Sequence, residues 1–381
     1  MRINDAIKKI TGSFAIFLSA FVIISLAADI SFLSRKTTPY RGEAGWEGMP
    51  DFKVYWLAGN VMADKTLGRE ENGPSVRKLY DKEEKFYHFR YSPVAALFMA
   101  PFGKIPFPRL AMAAWLLLGN ALVLFALLIL SGHIKERFSL GEAEKTVMLW
   151  LMFLGTLRYY LVVICQGQTD GMVMFLLVLL FVAYIGRKEV FSGILLAMIL
   201  QMKPFFGVLL IFFILEKRYR IVAAWAIAML ALAIIPAAFV GVRETANLNK
   251  EWLEMMGMSV PSQVLNYKNQ SFSYALAVGA LRLAGESMVL SPESLVAFFS
   301  VLLLGISLCF FFVRREELKI KSPIFYEYLV VSFFAATTVV FSPISWEAYY
   351  MFLVIPLALI FAMGVYAGKI KELILDRKSV V

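Results

Sequence analysis

Histidine and cysteine are nearly absent, with 2 of each in 381 residues. Cys165 and Cys309 lie far apart in or beside apolar stretches, and only His88 and His133 accompany them. That set supports neither a disulfide framework nor a Cys/His metal site. Charge is scarce too: Asp, Glu, Lys and Arg make up 17% of the chain, against about 25% in soluble domains. The chain also lacks internal repeats, low-complexity tracts, a glycine-rich phosphate loop and the even alternation of a membrane β-barrel. No Asp-x-Asp occurs in its first long polar segment, and Glu70-Glu71, beside Arg69, and Glu83-Glu84, between Lys82 and Lys85, read as solvated surface. No metal and no cofactor is therefore expected.

What fills the chain is apolar. Hydrophobic residues reach 60% at a mean hydropathy of +0.71, and runs near 20 residues recur along its length, a pattern to which only a bilayer is solvent. The clearest are Gly12 to Leu33, Leu110 to Ser131, Thr146 to Ile164, Gly171 to Ile185, Ile221 to Gly241, Leu295 to Val313, Ile324 to Phe341 and Met351 to Ala367. The first follows Arg2, Lys8 and Lys9 like a signal peptide, but its length and the lack of a small-residue cleavage site make it an uncleaved helix. Val190 to Leu215 is interrupted by Lys203-Pro204. Proline removes a backbone donor and biases its predecessor away from the helix, so two short helices are expected there.

The formal charge of +10 predicts topology rather than nucleic-acid binding, because the excess sits in short connections. Basic clusters at Lys135 and Arg137, Arg187-Lys188, Lys217 to Arg220, Arg314 to Lys321 and Lys369 to Lys378 are assigned to the cytoplasm. Cys165 to Thr169 and Ser342 to Glu347 carry no Lys or Arg and face outward. Ser92 to Gly103 and Phe272 to Leu283 are too short to cross about 30 Å of hydrocarbon. They are assigned as half-helices dipping from the outer face. Long polar loops at 34–90 and 242–271 lie outside, the first with 11 basic and 9 acidic residues. The expected architecture is one all-α polytopic membrane domain over 1–381, with about ten spans plus re-entrant half-helices.

Ionisable residues at a membrane edge are expensive and so become functional candidates. Asp29, Asp51, Arg90, Asp170, Lys203, Arg282 and Glu347 meet that description. Around them stand Asp51 with Tyr55, Leu79-Tyr80-Asp81, Phe89-Arg90-Tyr91-Ser92-Pro93, Gly167-Gln168-Thr169-Asp170-Gly171, Gln201-Met202-Lys203-Pro204, Asn269-Gln270-Ser271 with Arg282-Leu283, and Ser342-Pro343-Ile344-Ser345-Trp346.

In order and spacing these motifs resemble glycosyltransferase family 87, GT-C-fold membrane enzymes typified by polyprenyl-phosphate-mannose-dependent mannosyltransferases. The resemblance runs over roughly residues 12 to 365. One departure is that Glu347-Ala348-Tyr349-Tyr350 follows Trp346 where a histidine would be expected.

The resemblance implies inverting transfer of a sugar, mannose by the same resemblance, from a polyprenyl-phosphate donor to a lipid-linked glycan or glycolipid. The active site would lie on the extracytoplasmic side of the plasma (inner) membrane. Asp51 is then the expected base, with Asp29 the competing acid. Lys203, Arg90 and Arg282 are expected to meet the donor phosphate, or alternatively to snorkel and anchor headgroups. Tyr55, Gln168, Asp170, Asn269, Gln270, Trp346 and Glu347 are assigned to sugar or acceptor. The alternatives are capping for the amides and Asp170, and an interfacial belt for Trp46, Trp56, Trp252 and Trp346. The rival from another class is a transporter or flippase of a lipid-linked saccharide, which would share the spans and the broken helix.

Overall fold

A computed structural model describes residues 12–34, 49–66, 79–80, 89–265, 269–284, 290–321 and 325–379. Every regular element among them is helical. Among the described residues six helices are long and apolar enough to cross a membrane by length and composition: Phe14–Leu33, Pro108–Phe138, Glu142–Gln166, Tyr219–Val240, Pro292–Ile320 and Glu347–Gly368. Six shorter apolar helices join them.

The described helices begin with α1 (Phe14–Ser34), α2 (Pro50–Thr66) and the short α3 (Pro93–Gly103). Ser92 caps α3 by accepting from the Ala95 amide, and Pro93 occupies the first turn, where its missing donor does no harm. Next come α4 (Pro108–Phe138), α5 (Glu142–Gln166) and α6 (Asp170–Ile185). The interrupted pair is α7 (Glu189–Met202) and α8 (Val208–Leu215), joined by a 3₁₀ turn at Pro204–Gly207, so the helix breaks at Lys203 as the proline requires. Then follow α9 (Tyr219–Ile234), the single turn α10 (Ala237–Val240) and α11 (Val242–Val264). The chain ends with α12 (Phe272–Ala284), α13 (Pro292–Lys321), α14 (Tyr326–Phe341), a 3₁₀ segment Glu347–Leu353 and α15 (Val354–Ser379).

Three features differ from the sequence expectation. Segments read as polar outer loops contain the helices α2 and α11. In α11, Leu248, Trp252 and Met255 supply an apolar stripe at i, i+4 and i+7, enough to seat a helix whose other face is polar. Pro236 puts a turn near the end of the expected span over 221–241 without dividing it, since Tyr219–Val240 remains long and apolar enough to cross. Finally, α6 and α14 have 16 residues each, about 24 Å of helix, so each falls short of the hydrocarbon thickness.

Packing is close where glycine allows it. A Cβ on Gly59 of α2 would lie 2.3 Å from the Met99 carbonyl oxygen, and one on Gly103 of α3 would lie 2.3 Å from the Asn60 nitrogen, so α2 and α3 touch backbone to backbone. Gly193 does the same for α7 against α9 at Ile221.

The basic connections converge on one end of the bundle. Arg218 pairs with Glu189 at 3.1 Å and reaches Glu327 at 3.8 Å, Arg187 pairs with Glu327, and Arg315 approaches Glu216 at 3.7 Å. Tyr326 donates to the same Glu216. The connections without Lys or Arg gather at the other end of α6, about 24 Å away.

Candidate active site

Asp51 stands in the first turn of α2, where a carboxylate is favoured by the helix N-terminus. The turn between α5 and α6 sets its position. Gly167 ends α5 at φ +68°, and a Cβ there would sit 2.6 Å from the Phe52 Cβ and 2.7 Å from the Met49 Cε. Only glycine serves both demands. Trp115 of α4 fixes the same turn by donating from Nε1 to the Gly167 carbonyl at 2.9 Å. The next residue, Gln168, then reaches Asp51 and donates from Nε2 to its Oδ2 at 2.8 Å. The Gln168 Oε1 is buried and has no hydrogen-bond partner among the described residues.

Opposite stands the broken helix. Lys203, at φ −134° and ψ 80°, is out of helical geometry, and its ammonium lies 3.2 Å from Asp170 Oδ2. Asp170, the first residue of α6, has no exposed surface. Lys203 also sits over the Tyr349 ring, 4.3 Å from its centroid, and Phe205 stacks on that ring at 4.8 Å.

The third wall is the run into α3. Arg90's carbonyl accepts from Trp252 Nε1 of α11 at 3.1 Å, and Tyr91's carbonyl accepts from the Tyr80 hydroxyl at 2.7 Å. The Ser92 amide donates to the Gln201 carbonyl at 3.3 Å. The Tyr91 hydroxyl bonds that of Tyr55 at 2.9 Å and accepts from Thr169 at 3.2 Å. The Arg90 Nε, by contrast, is buried and unpartnered among the described residues.

These walls enclose a cavity of about 410 Å³, whose lining includes Asp51, Tyr55, Arg90, Gln168, Lys203 and Trp346, within the usual size of a small-molecule site. Tyr91, Met256 and Tyr349 also line it; in the sequence Tyr91 and Tyr349 stand within motifs but carry no site role, and Met256 is not marked at all. A Met or Tyr in an apolar context carries no mark of its partners.

Other candidates lie elsewhere. Asp170 is behind the wall as the partner of Lys203. Arg282 is exposed on α12 and is not among the cavity-lining residues. Asn269 ties loops together: its amide donates to the Val264 and Pro343 carbonyls and its Oδ1 accepts from the Ser271 and Ser345 amides. The backbone of Gln270 joins the same tie, donating to the Ser345 carbonyl at 2.7 Å, while its side chain is exposed. Glu347 pairs with the exposed Arg158 at 2.5 Å. Asp29 belongs to a separate network inside the bundle, accepting from Asn120, which accepts from Tyr160. Trp56 donates to the Ile105 carbonyl, and Trp46 falls outside the described residues.

Burial pushes the Asp51 carboxyl above its ordinary value, with Gln168's hydrogen bond and the charges of Lys203 and Arg90 pulling back and Asp170 pushing the same way as burial. A carboxyl raised in this way is a better base than one in water. The cavity thus holds a proton acceptor on one wall, two cations on others, and amide and hydroxyl groups between.

A family model described as Glycosyltransferase family 87 matches residues 89–343, two thirds of the chain. The match takes in Arg90, Gln168, Asp170, Lys203, Asn269, Gln270 and Arg282, and leaves Asp51, Tyr55, Trp346 and Glu347 outside its limits. No curated protein and no solved structure matches the chain.

Proposed function

Because the chain belongs to glycosyltransferase family 87, a polytopic, GT-C-type membrane glycosyltransferase, we propose that its cavity transfers a sugar from a polyprenyl-phosphate donor. The sugar is mannose in this reading, and the acceptor is a lipid-linked glycan or glycolipid on the extracytoplasmic side of the plasma membrane. The observation that carries the reading is the placing of the Asp51 carboxylate and the Arg90 guanidinium on different walls of one cavity. Single displacement at an anomeric carbon needs that arrangement. The acceptor oxygen forms a bond to the carbon while its proton passes to Asp51. The bond from that carbon to the phosphate oxygen breaks, its electron pair stays on the phosphate, and a cation meets the growing charge. The configuration at carbon inverts.

The basic clusters at the far end support an outward-facing site, since positive residues are retained in the cytoplasm. Their ion pairs with Glu189, Glu216 and Glu327 also tie that end shut, which suits an enzyme open to one side better than a flippase that opens to both. The test is sugar transfer by purified protein. Asp51→Asn retains the fold and loses about 10²- to 10⁴-fold in rate, the usual contribution of a positioned general base. Full activity in that variant removes Asp51 from the chemistry.

A further inference from the structure

The two cations of the cavity are not equivalent. Lys203 is already matched: its ammonium is 3.2 Å from the carboxylate of a fully buried Asp170 and lies over the Tyr349 ring. An anion arriving at Lys203 meets a pair with no net charge, and Asp170 repels it from behind. Arg90 has no ion-pair partner among the described residues, and its Nε is a buried donor left without an acceptor.

The backbone of the same residue is the opposite of free. Five hydrogen bonds hold positions 90–92: Trp252 of α11 to the Arg90 carbonyl, Tyr80 to the Tyr91 carbonyl, the Ser92 amide to Gln201, and the Tyr91 hydroxyl to Tyr55 and to Thr169. They come from five separate segments of the chain. A guanidinium with open donors on an anchored backbone is a pre-organised fork for an oxyanion, because little motion remains to be frozen when the anion binds.

We propose that Arg90 is the group that grips the leaving phosphate, and that Lys203 and Asp170 form a neutral pair that positions the broken helix beside it. The assignment rests on the transferase reading above. Lys203 is then a positioning residue. Its contact with Tyr349 holds the 3₁₀ segment Glu347–Leu353 against the end of α7, and the phosphate sees it only as a dipole.

The experiment measures binding of undecaprenyl phosphate, the product side of the reaction, to the full-length protein in detergent by ligand-dependent thermal shift. It needs no sugar transfer. Arg90→Gln keeps length and polarity but removes the charge, and its dissociation constant is expected to rise about 10- to 100-fold, the range of a lost charge-assisted hydrogen bond. Arg90→Lys, a cation without the fork, recovers only part of this. The double variant Lys203→Met/Asp170→Leu, which removes the pair together, stays within about 3-fold of wild type.

Arg90→Gln binding as tightly as wild type overturns the proposal, as does a folded double variant that loses as much as Arg90→Gln. Should the double variant fail to accumulate, the Arg90→Gln result decides alone. If the wild type itself does not bind undecaprenyl phosphate, the transferase reading falls with the proposal. Binding by wild type and Arg90→Gln alike sinks the proposal only.

Discussion

Removing one member of the Lys203–Asp170 pair is expected to harm the fold more than removing both. The two charges lie 3.2 Å apart with side chains 8% and 0% exposed. At an effective dielectric of about 20, that separation corresponds to roughly 5 kcal/mol of attraction, most of it offset in the native state by the desolvation of both ions. Asp170→Leu leaves the desolvation of Lys203 in place and removes the attraction. Loss of one partner from a buried pair typically costs about 3–5 kcal/mol, and the Tyr349 ring at 4.3 Å does not offset it, because that contact is present with and without Asp170. The loss corresponds to a drop in apparent melting temperature on the order of 5 °C for a chain of this length. Lys203→Met/Asp170→Leu swaps the pair for apolar groups of similar size and is expected to melt within about 1 °C of wild type. The assay is thermal unfolding of Asp170→Leu, Lys203→Met and the double variant in one detergent, read with wild type as a double-mutant cycle. Additive losses refute the reasoning, because they mean that the two side chains do not neutralise each other.

The raised carboxyl of Asp51 has two consequences of opposite sign. As a base it works deprotonated, so kcat/KM is expected to fall on the acid side through a limb above the ordinary aspartate value of 3.8, and a limb at or below that value contradicts the burial argument. For stability, burial favours the neutral form. The residue's contribution is fully present below its unfolded pKa and is lost as pH rises through the higher folded one, so Asp51→Asn should melt no lower than wild type at neutral pH. At the crossing of α2 and α3, Gly59→Ala places a methyl 2.3 Å from the Met99 carbonyl. The backbones must part, with a loss of about 1–3 kcal/mol and a fall in transfer activity as Asp51 shifts. Unchanged melting and activity would show that the two helices are not held in contact.

Much of this architecture is legible from residues alone. Lys203-Pro204 announces a broken helix because proline leaves no alternative, and α3 and α12 are too short to span, whatever their packing. Helices α2 and α11 escape such reading because only one face of each is apolar, and a stripe like Leu248, Trp252 and Met255 looks like scattered residues in a polar loop. Within the site, the difficulty is pairing. Asp170 and Lys203 lie 33 positions apart on different helices, and nothing local shows that each completes the other. Asn269 has the chemistry of a sugar-binding amide, yet both ends of its side chain bond backbone groups. Residue type gives the bonds a group can make, and only the fold decides who receives them. Gln168 shows the favourable case, since a glycine turn beside it fixes the one direction in which its amide can point.

The most direct test of the account counts products. Purified protein is given a polyprenyl-phosphate sugar with and without acceptor, and released polyprenyl phosphate is measured against glycosylated acceptor. One polyprenyl phosphate per sugar transferred, with inversion at the anomeric carbon and loss of both products in Asp51→Asn, is the predicted result. Movement of the intact donor across a bilayer without release of polyprenyl phosphate contradicts it.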